Sequence, residues 1–141
     1  MNDRANPAER SSGYVLATTA EGSIEEIRAR VEAALKTQGF GVLTEIDVAA
    51  TMKAKLGIES EPYLILGACN PPLAHRAIEA EPSVGTLLPC NVVIRKSAGE
   101  TVIEAMDPLA VLGFVASPEV HAVAAEAHER LARVIETLES N

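Results

Sequence analysis

The two cysteines are the side chains of this sequence best suited to chemistry, because a thiolate can attack electrophiles, exchange disulfides or bind soft metals. Cys69 ends an apolar run and directly precedes Asn70 and Pro71, which are typical of the first positions of a helix. Cys90 follows Pro89 and opens a second apolar run. Each thiol is therefore predicted to lie at the end of a secondary-structure element, where a functional site can reach it.

The environment of Cys69 favours a reactive thiol. The positive end of a helix dipole stabilises a nearby thiolate, which is the form that acts as nucleophile or metal ligand. His75 falls in the second turn of the same predicted helix, close enough to approach the thiol and activate it. Alternatively, His75 is an exposed helix position and both cysteines only pack in the core, since cysteine is among the most buried residue types.

Together the two cysteines could form a reversible disulfide, or half of a soft-metal site completed by His75 or by a second subunit. The sequence contains no C-x-x-C and no H-x-E motif, so a closed structural zinc site within one chain is not expected. Cys69 and Cys90 are the candidate catalytic and metal-binding residues. The candidate ligand-binding residues are Cys69, Asn70, Pro71, His75, Cys90 and Asn91.

Several classes of function lack support. The sequence has no G-x-S-x-G nucleophile motif, no phosphate-binding loop and no G-x-G-x-x-G motif. A formal net charge of −8 repels nucleic-acid phosphates and anionic membranes. No apolar run approaches the roughly 18–20 residues of a membrane span, and a reducing compartment would keep two cysteines as thiols. We therefore expect a cytoplasmic protein that binds neither nucleic acid nor membrane.

Two long helices are predicted from their start signals and apolar stripes. Ser23 and Glu26 form a capping box that begins a helix over 23–38, with Gly39 as its stop. Pro118 follows a serine cap and begins a helix that should continue to about Leu138, with one continuous apolar stripe. Two shorter helices are predicted after Asp47 and over 71–80. In the first, Val48, Met52 and Leu56 are expected to form a buried stripe.

The predicted strands cover 13–19, 40–46, 63–69, 90–96 and 101–106. Apart from the two short helices, the order is strand, helix, four strands, helix. That order favours an α+β two-layer sandwich: a largely antiparallel sheet of about five strands with both long helices on one face. In an antiparallel sheet both thiols can lie at the same end. The rival arrangement, a parallel α/β sheet, would place them at opposite ends.

The length of 141 residues fits one domain, expected over 13–139 after a loose tail at 1–12. Hydrophobic residues make up 48% of the chain and aromatic residues only 3%, so the core must be aliphatic.

Four segments resemble a bacterial and archaeal family known as domain of unknown function 302. They are Gly39–Asp47 (GFGVLTEID), Lys55–Gly57 (KLG), Leu66–Pro71 (LGACNP) and Leu88–Val92 (LPCNV). The two cysteine-containing segments are the most specific, and the resemblance covers about 13–138. It implies a small α+β domain similar in fold to the TATA-binding protein and often dimeric. It implies no activity, and likeness of fold does not transfer DNA binding to an acidic chain.

Three hypotheses follow from the sequence. The first is a homodimeric domain that binds a small molecule or soft metal at a pocket near Cys69 and Cys90. The second is a thiol-based redox enzyme or sensor with Cys69 as nucleophile and Cys90 as resolving thiol. The third is an interaction domain whose cysteines only pack. The sequence identifies neither a cofactor nor a reaction, and it leaves open whether the protein is an enzyme.

Overall fold

A five-stranded antiparallel sheet covered on one face by two long helices organises the chain, as the order of elements predicts. The computed structural model describes residues 13–139. The strands are β1 (Val15–Ala20), β2 (Gly41–Asp47), β3 (Tyr63–Cys69), β4 (Cys90–Ser97) and β5 (Glu100–Met106). The helices are α1 (Ile24–Thr37), α2 (Val48–Leu56), α3 (Pro71–Ala80), a 3-10 helix (Pro82–Leu87), α4 (Pro108–Val111) and α5 (Pro118–Glu139).

The strand order in the sheet is β1-β5-β4-β3-β2, and each neighbouring pair is antiparallel. The predicted α+β sandwich is therefore confirmed, and the parallel alternative is wrong. The short loop between β4 and β5 forces a hairpin, and β3 and β2 add to it on one side. This order makes β2 and β1 the two edge strands of the sheet.

Helix α1 begins and ends where its local sequence dictates. The Ser23 hydroxyl accepts from the Glu26 backbone N–H at 3.1 Å, and the Glu26 carboxylate accepts from the Ser23 N–H at 3.0 Å. Gly39 then takes a φ of +84°, which only glycine adopts without strain. The chain can thus turn directly from α1 into β2, which brings the end of α1 close to the start of α3.

The apolar side chains form two separate core clusters. The first lies between the sheet and the two long helices, and includes Val31, Leu66 and Leu131. The second lies beyond the end of the sheet, where α3, α4 and the N-terminal half of α5 pack together. Helix α5 is 22 residues long and contributes to both clusters, because its apolar stripe continues past the sheet end. The seam between the clusters falls at the end of the sheet that carries both cysteines.

One prediction about the surface is wrong. None of the residues of α2 is buried, and Leu56 of its expected buried stripe is 63% exposed. The helix follows the edge strand β2, so no second layer covers it. Two short helices also join the main elements, the 3-10 helix and the single-turn helix α4, each with a proline among its first residues.

Candidate functional site

Both cysteines lie at the same end of the sheet. Cys69 is the last residue of β3, Cys90 is the first residue of β4, and these two strands are antiparallel neighbours. The residue directly opposite Cys90 in the ladder is Ala68. Antiparallel pairing thus brings the two predicted site segments together in space.

Asn70 fixes the position of the chain beside Cys69. Its Oδ1 accepts from the Leu73 backbone N–H at 3.3 Å, which caps α3, and its Nδ2 donates to the Gln38 carbonyl oxygen at 3.3 Å. Arg130 donates to the same carbonyl oxygen at 3.1 Å. The buried amide therefore ties the start of α3 to the end of α1, and α5 supports the same contact.

A cavity of about 330 Å³ opens at this end of the sheet, on the seam between the two cores. Phe40, Ala68 and Cys90 belong to the first core and line it from the sheet side. Buried residues of the lining come from β3, from α3 and α5, and from the position directly after α4: Ala68, Leu73, Ala77, Leu112, Val123 and Ala127. Protein cores are normally packed without voids of this size, so the two clusters meet without filling the space between them.

The exposed residues of the lining mark the mouth of the cavity. Leu43 and Thr44 lie on one side, at an irregularity of β2 where the register with β3 shifts between Val42 and Thr44. Ile78 of α3 and Gly85 of the 3-10 helix lie on the other. Leu43 is 66% exposed and Ile78 is 41% exposed, so apolar side chains flank an opening to solvent.

Three of the predicted site residues line this cavity and three do not. Cys69, Asn70 and Cys90 are in the lining. Pro71, His75 and Asn91 are exposed and lie outside it. The exposure of Asn91 follows from the alternation of side chains along a strand. Its neighbour Cys90 faces the core, and successive side chains of a strand point to opposite faces. The exposure of His75 follows from helical geometry, because Leu73 and Ala77 lie on the buried side of α3.

The two thiols have different surroundings. Both are free, but Cys69 is half-buried whereas Cys90 is only 8% exposed. Burial raises the pKa of the Cys90 thiol to about 11, and the nearby Cys69 adds a smaller effect in the same direction. Cys90 therefore keeps its proton at neutral pH and is a poor nucleophile.

The ladder register does not favour a disulfide between them. Cys90 is opposite Ala68, and Cys69 is one residue further along β3. Side chains one residue apart in a strand leave opposite faces of the sheet. This offset disfavours the close approach of the two Cβ atoms that disulfide geometry requires.

Sequence reasoning missed most of the cavity walls. Ile78, Pro108, Leu112 and Val123 have ordinary apolar side chains and carry no motif. The available signal was a pair of small residues, Ala74 and Ala77, on the inner side of α3, since small side chains leave room where larger ones would fill it.

The donor set for a metal is incomplete within residues 13–139. No group of three or more histidine, cysteine, aspartate and glutamate side chains there could hold an ion. Cys69 and Cys90 would supply two soft ligands, and a tetrahedral site requires four.

The model of the family described as domain of unknown function DUF302 matches residues 16–138, which is most of the chain. This chain belongs to the DUF302 family. The resemblance seen in the four sequence segments is thereby confirmed.

A crystal structure of an uncharacterised conserved DUF302 protein from Bacillus stearothermophilus has the same fold. The two structures match with a TM-score of 0.83 at 30% sequence identity, and the match covers 90% of this chain and 99% of the Bacillus chain. No curated protein matches this chain significantly. Within the described residues of this DUF302 protein, no helix has the length and apolar character needed to span a membrane.

Proposed function

We propose that this DUF302 protein binds an apolar small molecule in the cavity beside Cys69 and Cys90. The observation that carries the proposal is the unfilled apolar space of about 330 Å³ between the two cores, open to solvent beside Leu43 and Ile78. Small-molecule sites are typically concave and mostly apolar, with volumes of roughly 300–1,000 Å³. The cavity lies at the small end of that range, which suits a compact ligand.

The lining also indicates the charge of the ligand. None of the residues around the cavity is acidic, basic or a histidine, and its polar side chains are Thr44, Cys69, Asn70 and Cys90. The Asn70 oxygen and one of its amide hydrogens are already engaged in the fold. A carboxylate in this space would lose its hydration without gaining a counter-charge, which is costly. The proposed ligand is therefore uncharged.

Octanol and octanoate form a matched pair of probes, because they have the same number of carbon atoms and differ in charge. We expect octanol to bind saturably by calorimetry and to raise the melting temperature, while octanoate binds at least about tenfold more weakly. In Ala74→Leu the added side chain fills part of the cavity, so octanol affinity should fall by about tenfold or more.

Ala80→Leu is the control for that experiment, because Ala80 lies on the same helix, is exposed and is outside the lining. It should leave octanol affinity unchanged. Equal affinities in both variants, or no saturable heat from octanol with the unmodified protein, would reject the proposal.

The two other chemistries considered for the cysteines have less support. A soft-metal site would need ligands from outside the described residues 13–139, because Cys69 and Cys90 supply only two. A redox pair would need Cys69 and Cys90 to bond across an unfavourable register. The proposal therefore includes no catalytic step. It assigns the protein to the cytoplasm, where a reducing environment would keep both thiols available.

We also propose that the protein is a homodimer that associates through its β2 edge. Five large apolar side chains are exposed on β2, on α2 and just after α2, and we call them the edge surface: Leu43, Ile46, Met52, Leu56 and Ile58. Within residues 13–139, β2 pairs with β3 alone. Antiparallel pairing of β2 with β2 of a second copy would give hydrogen-bond partners to the backbone groups along that edge. It would also form a closed twofold dimer, the commonest arrangement of homo-oligomers.

The double variant Ile46→Thr/Leu56→Gln tests this arrangement. Both positions are exposed within one chain and the new residues suit a strand and a helix, so the fold should be retained. Light scattering after gel filtration should give a dimer mass for the unmodified protein and a monomer mass for the double variant. Phe114→Gln removes another exposed apolar side chain outside the edge surface and should remain dimeric. A dimeric double variant would reject this interface, and a monomeric unmodified protein would reject the dimer.

A further inference from the structure

The geometry points to Cys69 as the site at which the cavity captures neutral, apolar α,β-unsaturated carbonyl compounds by covalent addition. This inference rests on the proposed binding of apolar molecules and adds a reaction to it. Cys69 and Cys90 both belong to the cavity lining, so a molecule that enters through the mouth comes close to both residues. Three features of the site determine which sulfur reacts and with what.

Accessibility selects Cys69 over Cys90. Cys69 is half-buried at the end of β3, whereas Cys90 is buried at the start of β4 within the first core. Burial also keeps Cys90 protonated, since it raises the pKa of that thiol to about 11. Only the thiolate attacks at an appreciable rate. Cys90 therefore contributes a neutral, weakly polar wall next to the reacting sulfur.

The surroundings of Cys69 select the type of reaction. Acyl transfer and substitution release a leaving group, and they proceed best where an acid protonates it or a charge stabilises the intermediate. The lining provides no such group, because His75 lies outside the cavity and the residues around it are uncharged. Addition to a conjugated double bond releases nothing, so it makes the smallest demand on the protein.

The atoms of this step balance without a co-reactant. The Cys69 sulfur forms a bond to the β-carbon, and the double-bond electrons move to the α-carbon and the carbonyl oxygen. The α-carbon then takes a proton from water at the mouth, which replaces the proton lost by the thiol. The net change is addition of S–H across the carbon–carbon double bond, with no oxidation or reduction.

The apolar walls select the substituent on the electrophile. An alkyl chain attached to the carbonyl can be buried against Leu73, Ala77 and Leu112, which are closed to solvent. Burial of each added methylene stabilises the complex further, so a longer chain raises the local concentration of the electrophile near the sulfur. A charged substituent loses this advantage.

Pentyl vinyl ketone and methyl vinyl ketone test the inference, because they share one reacting group and differ only in chain length. The rate of adduct formation is followed by intact mass, the site is found by peptide mapping, and each rate is divided by that with glutathione. We expect the longer ketone to be favoured at Cys69 by about tenfold or more over the shorter one. The cavity-filling variant Ala74→Leu should remove this preference, and Ala80→Leu should keep it.

Cys69→Ser and Cys69→Ala should both lose the fast adduct while melting near the temperature of the unmodified protein, and Cys90→Ser should keep it. A fast adduct on Cys90, or equal normalised rates for the two ketones, would overturn the inference. Octanol binding is measured on the same variants. If octanol still binds while the ketones show no preference, the covalent step is rejected and the binding proposal stands; if octanol also fails to bind, both fall.

Discussion

Replacing Gly67 with alanine is expected to lower the free energy of unfolding by about 1–3 kcal/mol, the usual cost of forcing extra atoms into a packed site. A Cβ built on Gly67 lies 2.2 Å from the Thr44 Oγ1 and 2.9 Å from the Pro89 Cγ. The proline ring carbon cannot rotate away, and the threonine is β-branched and restricted in its side-chain torsion. The backbone of β3 must therefore move. Urea denaturation at a fixed protein concentration measures the loss.

Gly41→Ala is the matched control, because Gly41 lies in the adjacent strand and a Cβ built there meets nothing within 4 Å. It should be neutral, or stabilising by up to about 1 kcal/mol through its effect on the unfolded chain. Adding Thr44→Ala to Gly67→Ala removes the closer of the two clashes and should recover part of the lost stability. Equal effects of alanine at Gly67 and at Gly41 would contradict this account of the site.

The close packing around Gly67 also matters for the ligand cavity. Thr44 lies at the mouth and Pro89 in the wall, so a shift of either changes the opening or the space behind it. The glycine is thus a point at which β2, β3 and the segment before β4 approach one another closely. Octanol affinity in Gly67→Ala should accordingly fall along with stability, while Gly41→Ala should keep both.

The elements of this fold could be predicted because their signals are local. The Ser23–Glu26 capping box and the stripe of α5 depend on residues three or four apart, and both are confirmed. The hairpin of β4 and β5 then limits the sheet to few topologies. The end-of-strand positions of Cys69 and Cys90 follow from the same local reasoning.

The exposure of α2 could not be predicted in the same way. A stripe such as Val48, Met52 and Leu56 tells which side chains face one direction along a helix. It does not tell whether another element lies in that direction, which depends on the place of β2 at the sheet edge. The cavity is similarly a property of two cores that meet, and neither α3 nor α5 carries a signal for the gap between them.

One prediction about the site could have been improved from the sequence alone. Cys90 and Asn91 are consecutive residues of one strand, so only one of them can face a given side of the sheet. In a regular strand a core-facing Cys90 therefore directs Asn91 to the opposite face, where it is exposed. The prediction for His75 depended instead on which side of α3 is buried. The stripe of Leu73 and Ala77 already favoured an exposed His75.

Stability should fall at alkaline pH because of Cys90. The folded state holds the Cys90 proton up to a pKa of about 11, whereas an unperturbed cysteine has a pKa of 9.0. Between these values the folded state binds more protons than the unfolded state, so stability decreases as pH rises. The contribution is fully present below pH 9 and is lost as pH rises through 11. Two pKa units correspond to about 2–3 kcal/mol.

Cys90→Ala isolates this contribution from the tyrosines and lysines that titrate in the same range. The difference in unfolding free energy between the unmodified protein and Cys90→Ala should change by about 2–3 kcal/mol from pH 8 to pH 11, in the direction that favours the variant. In Cys69→Ala most of the pH dependence should remain, because burial of Cys90 is the larger cause and the Cys69 charge the smaller one. If the curves of the unmodified protein and Cys90→Ala run parallel, Cys90 is not buried as a neutral thiol. Protonation of Cys90 would then no longer be a reason to assign the reaction to Cys69.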